Sequence, residues 1–368
     1  MIDEARFIID LIQASLRSQD LTFSELDPIK LSDYAKQHRL SALVYYLLLN
    51  QENPYKETYM ELLRPVHFNT GIHYVSYTQA QKELGNLLDE VKIPYLFFKG
   101  LALSHYYPEA YLRLSSDIDL LIKEEDRERV EKHLFSKGYV LSIKQLNEWI
   151  YTKGDIVVEV HTQLVHPSDV NPQVSAYFNE LTHQLFKQNG SNHLSNEDFF
   201  VYQIVHLGKH LYGSGAGLRF MVDLVYSYRG MDLNEDQLWK ILNDLKMEEF
   251  AKVVFSLMRR WFEEGPVVSE VSSHQMDLLE SMLSGLSVFG DQSEKILIKA
   301  RRIENQAKHS KVWVMIFPQG LSLSEQIHRW GIWILHPFKT SRQYRLIKQK
   351  ENQAKAWLSE LKEIGLYD

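Results

Sequence analysis

Three acidic residues in the middle of the chain have the types and spacing of metal ligands. Asp117 and Asp119 are separated by Ile118, and Glu159 stands in a later aliphatic stretch. Because side chains alternate between the two faces of a strand, Asp117 and Asp119 share one face while Ile118 lies on the other. Adjacent carboxylates repel each other unless a cation lies between them, and Mg²⁺ prefers such oxygen ligands. The sequence therefore predicts a metal site formed by Asp117, Asp119 and Glu159.

The three carboxylates are expected to hold two ions. Carboxylates on one side of a small sheet can bind a pair of metals roughly 4 Å apart. We predict Mg²⁺, with Mn²⁺ as the alternative ion. Acid pairs of this spacing also occur as solvated residues at strand ends, but the aliphatic residues around each acid favour the metal site. Like-charge repulsion also predicts that Asp117→Asn and Asp119→Asn each leave the metal-free fold at least as stable.

The acids belong to a longer pattern that begins with a glycine turn. Lys99-Gly100 follows the apolar run 95–98, Arg113 precedes the acid pair, and Glu159-Val160-His161 closes the pattern. This pattern resembles the DNA polymerase beta-type nucleotidyltransferase superfamily and, within it, the family of uncharacterised nucleotidyltransferases. The resemblance is strongest over residues 95–161 and weaker up to about residue 262.

The resemblance implies a catalytic role for the three acids. Asp117 and Asp119 would bridge both metal ions, and Glu159 would bind the catalytic ion and help to activate the acceptor hydroxyl. Gly100 would let the turn approach the triphosphate of an NTP, where backbone N–H groups can bind anions. The implied reaction is transfer of a nucleoside monophosphate from an NTP to an acceptor hydroxyl or phosphate, with release of pyrophosphate.

The turn departs from the superfamily pattern at the residue after the glycine. The superfamily commonly has Gly-Ser, whereas Gly100 is followed by Leu101, so a phosphate-binding hydroxyl is missing. Lys99 or Arg113 would then supply the cationic contact with the nucleotide. Two alternatives stay open: the ammonium of Lys99 extends into solvent, or Arg113 pairs with Asp117.

Three further residues are candidates for acceptor binding. His161 shares a strand face with Glu159, so it could orient that carboxylate or contact the acceptor; the alternative is a hydrogen-bonded histidine at a strand end. His210 and Arg219 lie in the helical stretch after Pro167. We expect these helices to form the second wall of a cleft, because clefts between domains are common ligand sites.

Simpler interpretations compete with acceptor binding for two of these residues. His206 and His210 are four residues apart and share a helix face, which is also typical of packed core histidines. Arg219 and Asp223 have the same spacing, which favours an ion pair within one helix. Both alternatives stay open in the sequence.

Apolar periodicity predicts an α+β fold, a small mixed β-sheet domain flanked by N-terminal and C-terminal helical regions. The resemblance implies that the sheet domain is a nucleotidyltransferase domain. The predicted regions are 1–92, helical, 93–165, the nucleotidyltransferase core, and 166–368, helical. Strand patterns occur at 95–98, 116–122, 139–143, 148–152 and 156–161. Gly154-Asp155 predicts a hairpin turn between the last two strands.

Two predictions concern the helical regions. Pro65 is expected to kink or divide the helical stretch 55–91. Near the C-terminus, Ile327, Trp330 and Ile334 form an apolar helical stripe, followed by basic residues at every third position. A core helix followed by a solvated helix explains this pattern, and a membrane-surface or partner-binding element is the alternative.

Composition limits the classes of function. The 368 residues include no cysteine, which removes disulfides, thiolate zinc sites and cysteine nucleophiles. The formal net charge of -7 gives no general attraction for nucleic acid. The N-terminal residues do not resemble a signal peptide, and no apolar run is long enough to cross a bilayer. We therefore expect a cytoplasmic protein.

Two other functions stay open beside nucleotidyl transfer. The same fold could serve as a nucleotide- or partner-binding module without turnover. A toxin-like transferase acting on RNA is the second alternative, against which the acidic net charge argues. The sequence indicates an NTP as donor, but it identifies neither the acceptor, the nucleotide base nor the oligomeric state.

Overall fold

The computed structural model describes residues 1–21, 26–52, 55–144, 148–167, 169–187, 193–213, 215–285, 356 and 359–366. The fold is α+β, as predicted. The α-helices are α1 (Asp3–Arg17), α2 (Pro28–Gln37), α3 (Ser41–Leu49), α4 (Lys56–Glu90), α5 (Gly100–Ser104), α6 (Arg127–Ser136), α7 (Pro172–Lys187), α8 (Asn196–Gly213), α9 (Leu218–Gly230), α10 (Glu235–Asp244), α11 (Glu248–Phe262) and α12 (Ser273–Leu283). The strands are β1 (Tyr95–Phe98), β2 (Ile118–Ile122), β3 (Val140–Lys144), β4 (Glu148–Lys153) and β5 (Ile156–His161).

The five strands form one mixed sheet in the order β1-β2-β5-β4-β3. β2 and β5 are parallel, and the other neighbouring pairs are antiparallel. β4 and β5 are joined by the predicted turn, where Gly154 adopts φ 56°. This left-handed conformation costs glycine little, which explains why the chain reverses at this point.

Two hydrophobic clusters cover opposite faces of the sheet. Ile118, Leu120 and Ile122 of β2 belong to the smaller cluster, which also contains side chains from α4 and α6. Leu121 belongs to the larger cluster, which extends from the N-terminal helices to the helices after residue 172. Because strand side chains alternate, Asp119 lies on the same face as Leu121, towards the larger cluster.

The N-terminal helices confirm the helical prediction for this part of the chain, with one correction. α4 runs through Pro65 without a break, so the predicted division of the helix is wrong. Packing on α3 stabilises this segment: the Nδ1 atom of His67 lies 3.2 Å from the carbonyl oxygen of Ala42, and its ring contacts Tyr45. Tertiary contacts of this kind supply most of the stability of a protein helix and outweigh the backbone hydrogen bond that proline removes.

The C-terminal helices extend the larger cluster. Leu361 and Ile364 are buried in it, so the described segment 359–366 packs against the core. The stripe formed by Ile327, Trp330 and Ile334 lies outside the described residues. Within the described part of the chain, each helix is too short or too polar to cross a membrane.

Candidate metal centre

Strand pairing brings Asp119, Glu159 and His161 together on one face of the sheet. In the parallel pair β2–β5, Asp119 lies opposite Glu159. His161 follows two residues later in β5 and therefore lies on the same face. One ligand atom of each residue lies within 4.8 Å of the others. Two carboxylates and an imidazole form a donor set that could hold a divalent metal ion.

His161 contacts both carboxylates. Its Nε2 atom lies 3.1 Å from Oδ1 of Asp119 and 3.6 Å from Oε2 of Glu159. Burial and the charge of Lys99 lower the pKa of His161, but its contacts with the two acids outweigh them and raise it. With its proton on Nε2, the ring donates to Asp119 and orients that carboxylate. The geometry therefore favours the orienting role of His161 over direct contact with the acceptor.

Lys99 reaches the same carboxylate from the end of β1. Phe98 lies opposite Asp119 in the antiparallel pair β1–β2, so the next residue is close to the acid. The Nζ atom of Lys99 donates to Oδ1 of Asp119 at 2.8 Å, and the two side chains are 18% and 3% exposed. The alternative in which Lys99 extends into solvent is therefore wrong. Lys99 also adopts φ 59°, a conformation that is costly for residues with a Cβ atom.

Asp117 and Asp119 have different surroundings. Burial raises the pKa of Asp119, but Lys99 and His161 outweigh burial and lower it to about 2. Asp117 lies just before β2, and its Oδ2 atom accepts a hydrogen bond from the Ser116 hydroxyl at 3.1 Å. Burial first, and then the charge of Asp119, raise the pKa of Asp117. The charge of Asp119 is thus compensated by direct contacts, whereas the charge of Asp117 is opposed by its acidic neighbour.

Glu148 adds a fourth carboxyl group, which the sequence analysis missed. It lies opposite His161 in the antiparallel pair β4–β5. Burial first, and then the charge of Glu159, raise the pKa of Glu148, so the two carboxyl groups are close enough to repel each other. The signal was present in the sequence, because counting back from the turn at Gly154 pairs Glu148 with His161.

Tyr202 is a second residue that the sequence analysis missed. It lies in α8, is buried, and its hydroxyl accepts a hydrogen bond from Lys99. This contact ties the lysine to the helices that follow the sheet. No local spacing relates Tyr202 to Lys99, so only the tertiary structure reveals the contact.

Arg113 forms a buried ion pair that fixes the glycine turn. Its Nε and Nη2 atoms donate to the two carboxylate oxygens of Asp223 at 2.7 and 2.9 Å. Its Nη1 atom donates to the carbonyl oxygen of Gly100 at 2.8 Å and to the hydroxyl of Ser115 at 3.2 Å. One guanidinium therefore connects α9, the turn and the segment before β2.

This ion pair corrects two alternatives from the sequence analysis. Arg113 pairs with Asp223, not with Asp117. Asp223 in turn is bound by Arg113 and not by Arg219 of its own helix, whose Nη1 atom donates to the carbonyl oxygen of Leu114 at 3.0 Å. The planar guanidinium of Arg113 meets the carboxylate with two parallel hydrogen bonds, a geometry that stabilises more than a single helical contact.

The close packing of the turn leads to a prediction for Gly100→Ala. A Cβ atom at this position would lie 2.5 Å from Oγ of Ser115 and 3.4 Å from the carbonyl oxygen of Asp117. Relief of this overlap must move the segment that carries Asp117, so we expect a loss of about 1–3 kcal/mol in unfolding free energy and a loss of turnover. Urea unfolding measures the first effect. Adding Ser115→Gly removes the nearest atoms and should restore part of the stability, and equal stability of Gly100→Ala and wild type would contradict the packing argument.

His210 is packed among aromatic rings. Its ring centroid lies 4.4 Å from that of His206 and 4.9 Å from that of Phe220. Burial lowers the pKa of His210 to about 3, so the ring is neutral at physiological pH. These contacts favour the packing interpretation of the histidine pair over a direct role in acceptor binding.

The mixed sheet with flanking helices is the α+β class expected from the sequence. Residues 24–263 of the 368-residue chain match the family described as uncharacterised nucleotidyltransferase. The match covers more than half of the chain, and the protein belongs to this family. Neither a curated protein nor a solved structure matched the chain.

Proposed function

We propose that the protein transfers a nucleoside monophosphate from an NTP to an acceptor hydroxyl or phosphate and releases pyrophosphate. The observation that carries this proposal is the juxtaposition of Asp119, Glu159 and His161, whose ligand atoms lie within 4.8 Å of one another. Membership of a nucleotidyltransferase family supports the reaction class. Asp117, next to the first residue of β2, completes the proposed set of acids.

The acid cluster fits a divalent cation. Asp119 stays ionised, since its pKa is lowered to about 2. The raised pKa of Asp117 reflects burial and repulsion from Asp119, which a cation between the two carboxylates would relieve. We assign Asp117, Asp119 and Glu159 as ligands of Mg²⁺, and the same set accepts Mn²⁺. When bound, the metal would neutralise negative charge on the reacting phosphate.

Glu159 is the residue that we assign to the proton of the acceptor. Its side chain is 21% exposed, so an acceptor can approach it more easily than Asp119, which is 3% exposed. Its neighbour Glu148 has a raised pKa and forms a side-chain hydrogen bond with Glu159. In the reaction, the acceptor oxygen bonds to the α-phosphorus and the bond to the bridging oxygen breaks. Pyrophosphate leaves with the electron pair, and the acceptor proton passes to the carboxylates.

The remaining candidates divide between nucleotide and acceptor. We assign Lys99 and Gly100 to the nucleotide, since they stand where β1 ends beside Asp119. Arg113 acts on the nucleotide through the Gly100 carbonyl that it binds, and is therefore a positioning residue. His161 would act on the acceptor indirectly, by orienting Asp119 and Glu159, whose carboxylates it contacts.

The test is Mg²⁺-dependent pyrophosphate release with each of the four NTPs and the full chain. The NTP is selected first by thermal shift, because a ligand that binds the native state raises the apparent stability. Release that needs both Mg²⁺ and one of the NTPs supports the proposal. NTP binding without release under any condition would favour the alternative of a binding module.

Glu159→Gln should separate chemistry from binding. We expect the rate of pyrophosphate release to fall at least about 100-fold, because the proton acceptor is lost. NTP binding should stay largely intact, since the neutral amide keeps the shape of the side chain. Glu128→Gln is the control, as that side chain is 87% exposed on α6. Loss of NTP binding with an unchanged rate at saturation would contradict the role of Glu159.

A further inference from the structure

Two arginines from distant parts of the chain are held together beside Asp117. The backbone N–H of Leu218 donates to Nδ1 of His38 at 3.1 Å. Arg39 directly follows His38, and Arg219 directly follows Leu218. This hydrogen bond therefore joins the end of α2 to the start of α9. Nε2 of His38 lies 2.8 Å from the carbonyl oxygen of Gly285. Burial lowers the pKa of His38 to about 4, so a neutral ring accepts from Leu218 and donates to Gly285.

Arg39 occupies a backbone position that favours glycine. It follows the C-terminal end of α2 and adopts φ 57°. Helices commonly end in this left-handed conformation, usually with Gly or Asn, because other residues bear a steric cost. The side chain of Arg39 donates from Nη1 to the hydroxyl of Ser116 at 2.9 Å. An arginine is thus placed at a costly position and extends to the residue before Asp117.

Arg219 is also placed against local preference. It lies in the first turn of α9, where the helix dipole disfavours a positive charge. Its Nη1 atom donates to the Leu114 carbonyl, but its buried Nε atom has no hydrogen-bond partner among the described residues. Burial first, and then the charges of Arg113 and Arg39, lower the pKa of Arg219 to about 10. A buried cation beside other cations requires an anionic partner.

The acidic residues near Arg219 do not provide this anionic partner. Asp223 is engaged by both guanidinium hydrogen bonds of Arg113. The charge of Arg219 partly opposes the rise in the pKa of Asp117, so the two groups are close to each other. The described hydrogen bond of Asp117, however, is with Ser116. Asp117 is also a proposed metal ligand, so a bound metal ion would compete with Arg219 for its negative charge. Arg219 therefore carries a positive charge that the nearby carboxylates do not fully compensate.

We propose that Arg39 and Arg219 bind the triphosphate chain of the nucleotide. This inference rests on the proposed function, which requires an NTP beside the acids. Guanidinium groups bind phosphate oxygens with paired hydrogen bonds, which suits a polyphosphate chain. Both arginines contact the segment Leu114–Ser116, which a Cβ atom on Gly100 would also touch. They border the glycine turn and replace the hydroxyl that Leu101 does not provide.

The assignment changes the role expected for Arg219. The sequence places this residue with the acceptor, whereas its unpartnered Nε atom and its position near Asp117 favour the donor phosphates. It also brings the N-terminal helices into the site through Arg39. Nucleotide binding would then hold α2, the glycine turn and α9 together.

The test measures binding of inorganic tripolyphosphate to the full chain without metal, by calorimetry and thermal shift. Wild type should bind, and Arg39→Gly and Arg219→Gln should each weaken binding about tenfold or more, the factor expected for one lost charge-assisted hydrogen bond. The ligand-free melting temperature of Arg39→Gly should stay close to that of wild type, because relief of the φ 57° strain offsets the loss of side-chain contacts such as the hydrogen bond to Ser116. Asp117→Asn should tighten binding, since it removes a repelling charge.

Lys246→Gly is the matched control. It removes a cation from a helix end with φ 55°, so it reproduces the backbone and charge change outside the site. It should leave tripolyphosphate affinity unchanged. Equal loss in Lys246→Gly and Arg39→Gly, wild-type affinity in both arginine variants, or no binding by wild type would each overturn the triphosphate site.

Further ligands distinguish the source of the phosphate. The matching NTP should lose affinity in both arginine variants, whereas the corresponding nucleoside monophosphate and a short single-stranded RNA should show little dependence on them. If RNA depended on the arginines and tripolyphosphate did not, the residues would belong to an acceptor site. Tripolyphosphate binding without pyrophosphate release would support the anion site and reject the proposed function. Pyrophosphate release that does not depend on either arginine would support the proposed function and reject the anion site.

Discussion

Asp119→Asn is expected to lose about 3 kcal/mol of unfolding free energy in metal-free buffer, whereas Asp117→Asn should lose none. Asp119 is buried and accepts hydrogen bonds from Lys99 at 2.8 Å and His161 at 3.1 Å. An amide leaves the buried ammonium of Lys99 without its counter-ion and weakens the hydrogen bond with His161. Asp117 has a raised pKa from burial and from Asp119, so a neutral side chain removes an unfavourable charge. Both variants should lose Mg²⁺-dependent turnover.

Urea unfolding with a chelator present measures the difference between the two variants. The double variant Asp119→Asn with Lys99→Met should be less destabilised than the sum of the single changes, because each removes the partner of the other. Equal stability of Asp117→Asn and Asp119→Asn would contradict the different roles of the two acids.

The pH dependence provides an independent check on Asp119. Its pKa is lowered from 3.8 to about 2, so the folded state favours the ionised carboxylate. The stability that it contributes is present above pH 3.8 and is lost as the pH falls towards 2. Asp119→Asn should therefore remove part of the acid sensitivity of wild type in this range, and Asp117→Asn should not.

Sequence spacing predicted that the acids belong together but gave both aspartates the same expected stability. The alternation of acid and aliphatic residues correctly placed Ile118 and Leu120 on the face opposite Asp119. The difference between the two acids depends on Lys99, which the pairing of Phe98 with Asp119 brings into contact. The register of two separate strands is a tertiary property that local spacing does not contain.

The helices show the same division between local and long-range information. The hairpin at Gly154 and the strand pattern around it follow from local preferences and were predicted. Arg39 gave no signal in the sequence, because its place near Ser116 depends on how α2 packs. Asp223 was assigned to the nearest arginine in its helix, and its actual partner comes from the segment before β2. Predictions thus failed where a side chain had both a local and a distant partner available.

Asp223→Asn is expected to cause the second large loss, about 3–5 kcal/mol of unfolding free energy. The side chains of Arg113 and Asp223 are only 6% and 9% exposed, so water cannot solvate the guanidinium that remains without its counter-ion. The hydroxyl of Tyr107 also donates to Oδ1 of Asp223 at 2.7 Å, so the substitution weakens a second buried contact. Turnover should fall as well, because Arg113 fixes the carbonyl of Gly100.

The double variant Arg113→Met with Asp223→Leu separates the cost of an orphaned charge from the contribution of the pair. Replacement of a buried ion pair by apolar side chains of similar size is often nearly neutral, whereas removal of one partner is not. Urea unfolding should therefore show the double variant to be more stable than Asp223→Asn, while its turnover stays low because the Gly100 carbonyl has lost its donor. Recovery of both stability and turnover in the double variant would mean that Arg113 does not position the turn. A loss below about 1 kcal/mol in Asp223→Asn would mean that the pair contributes no more than a solvent-exposed ion pair.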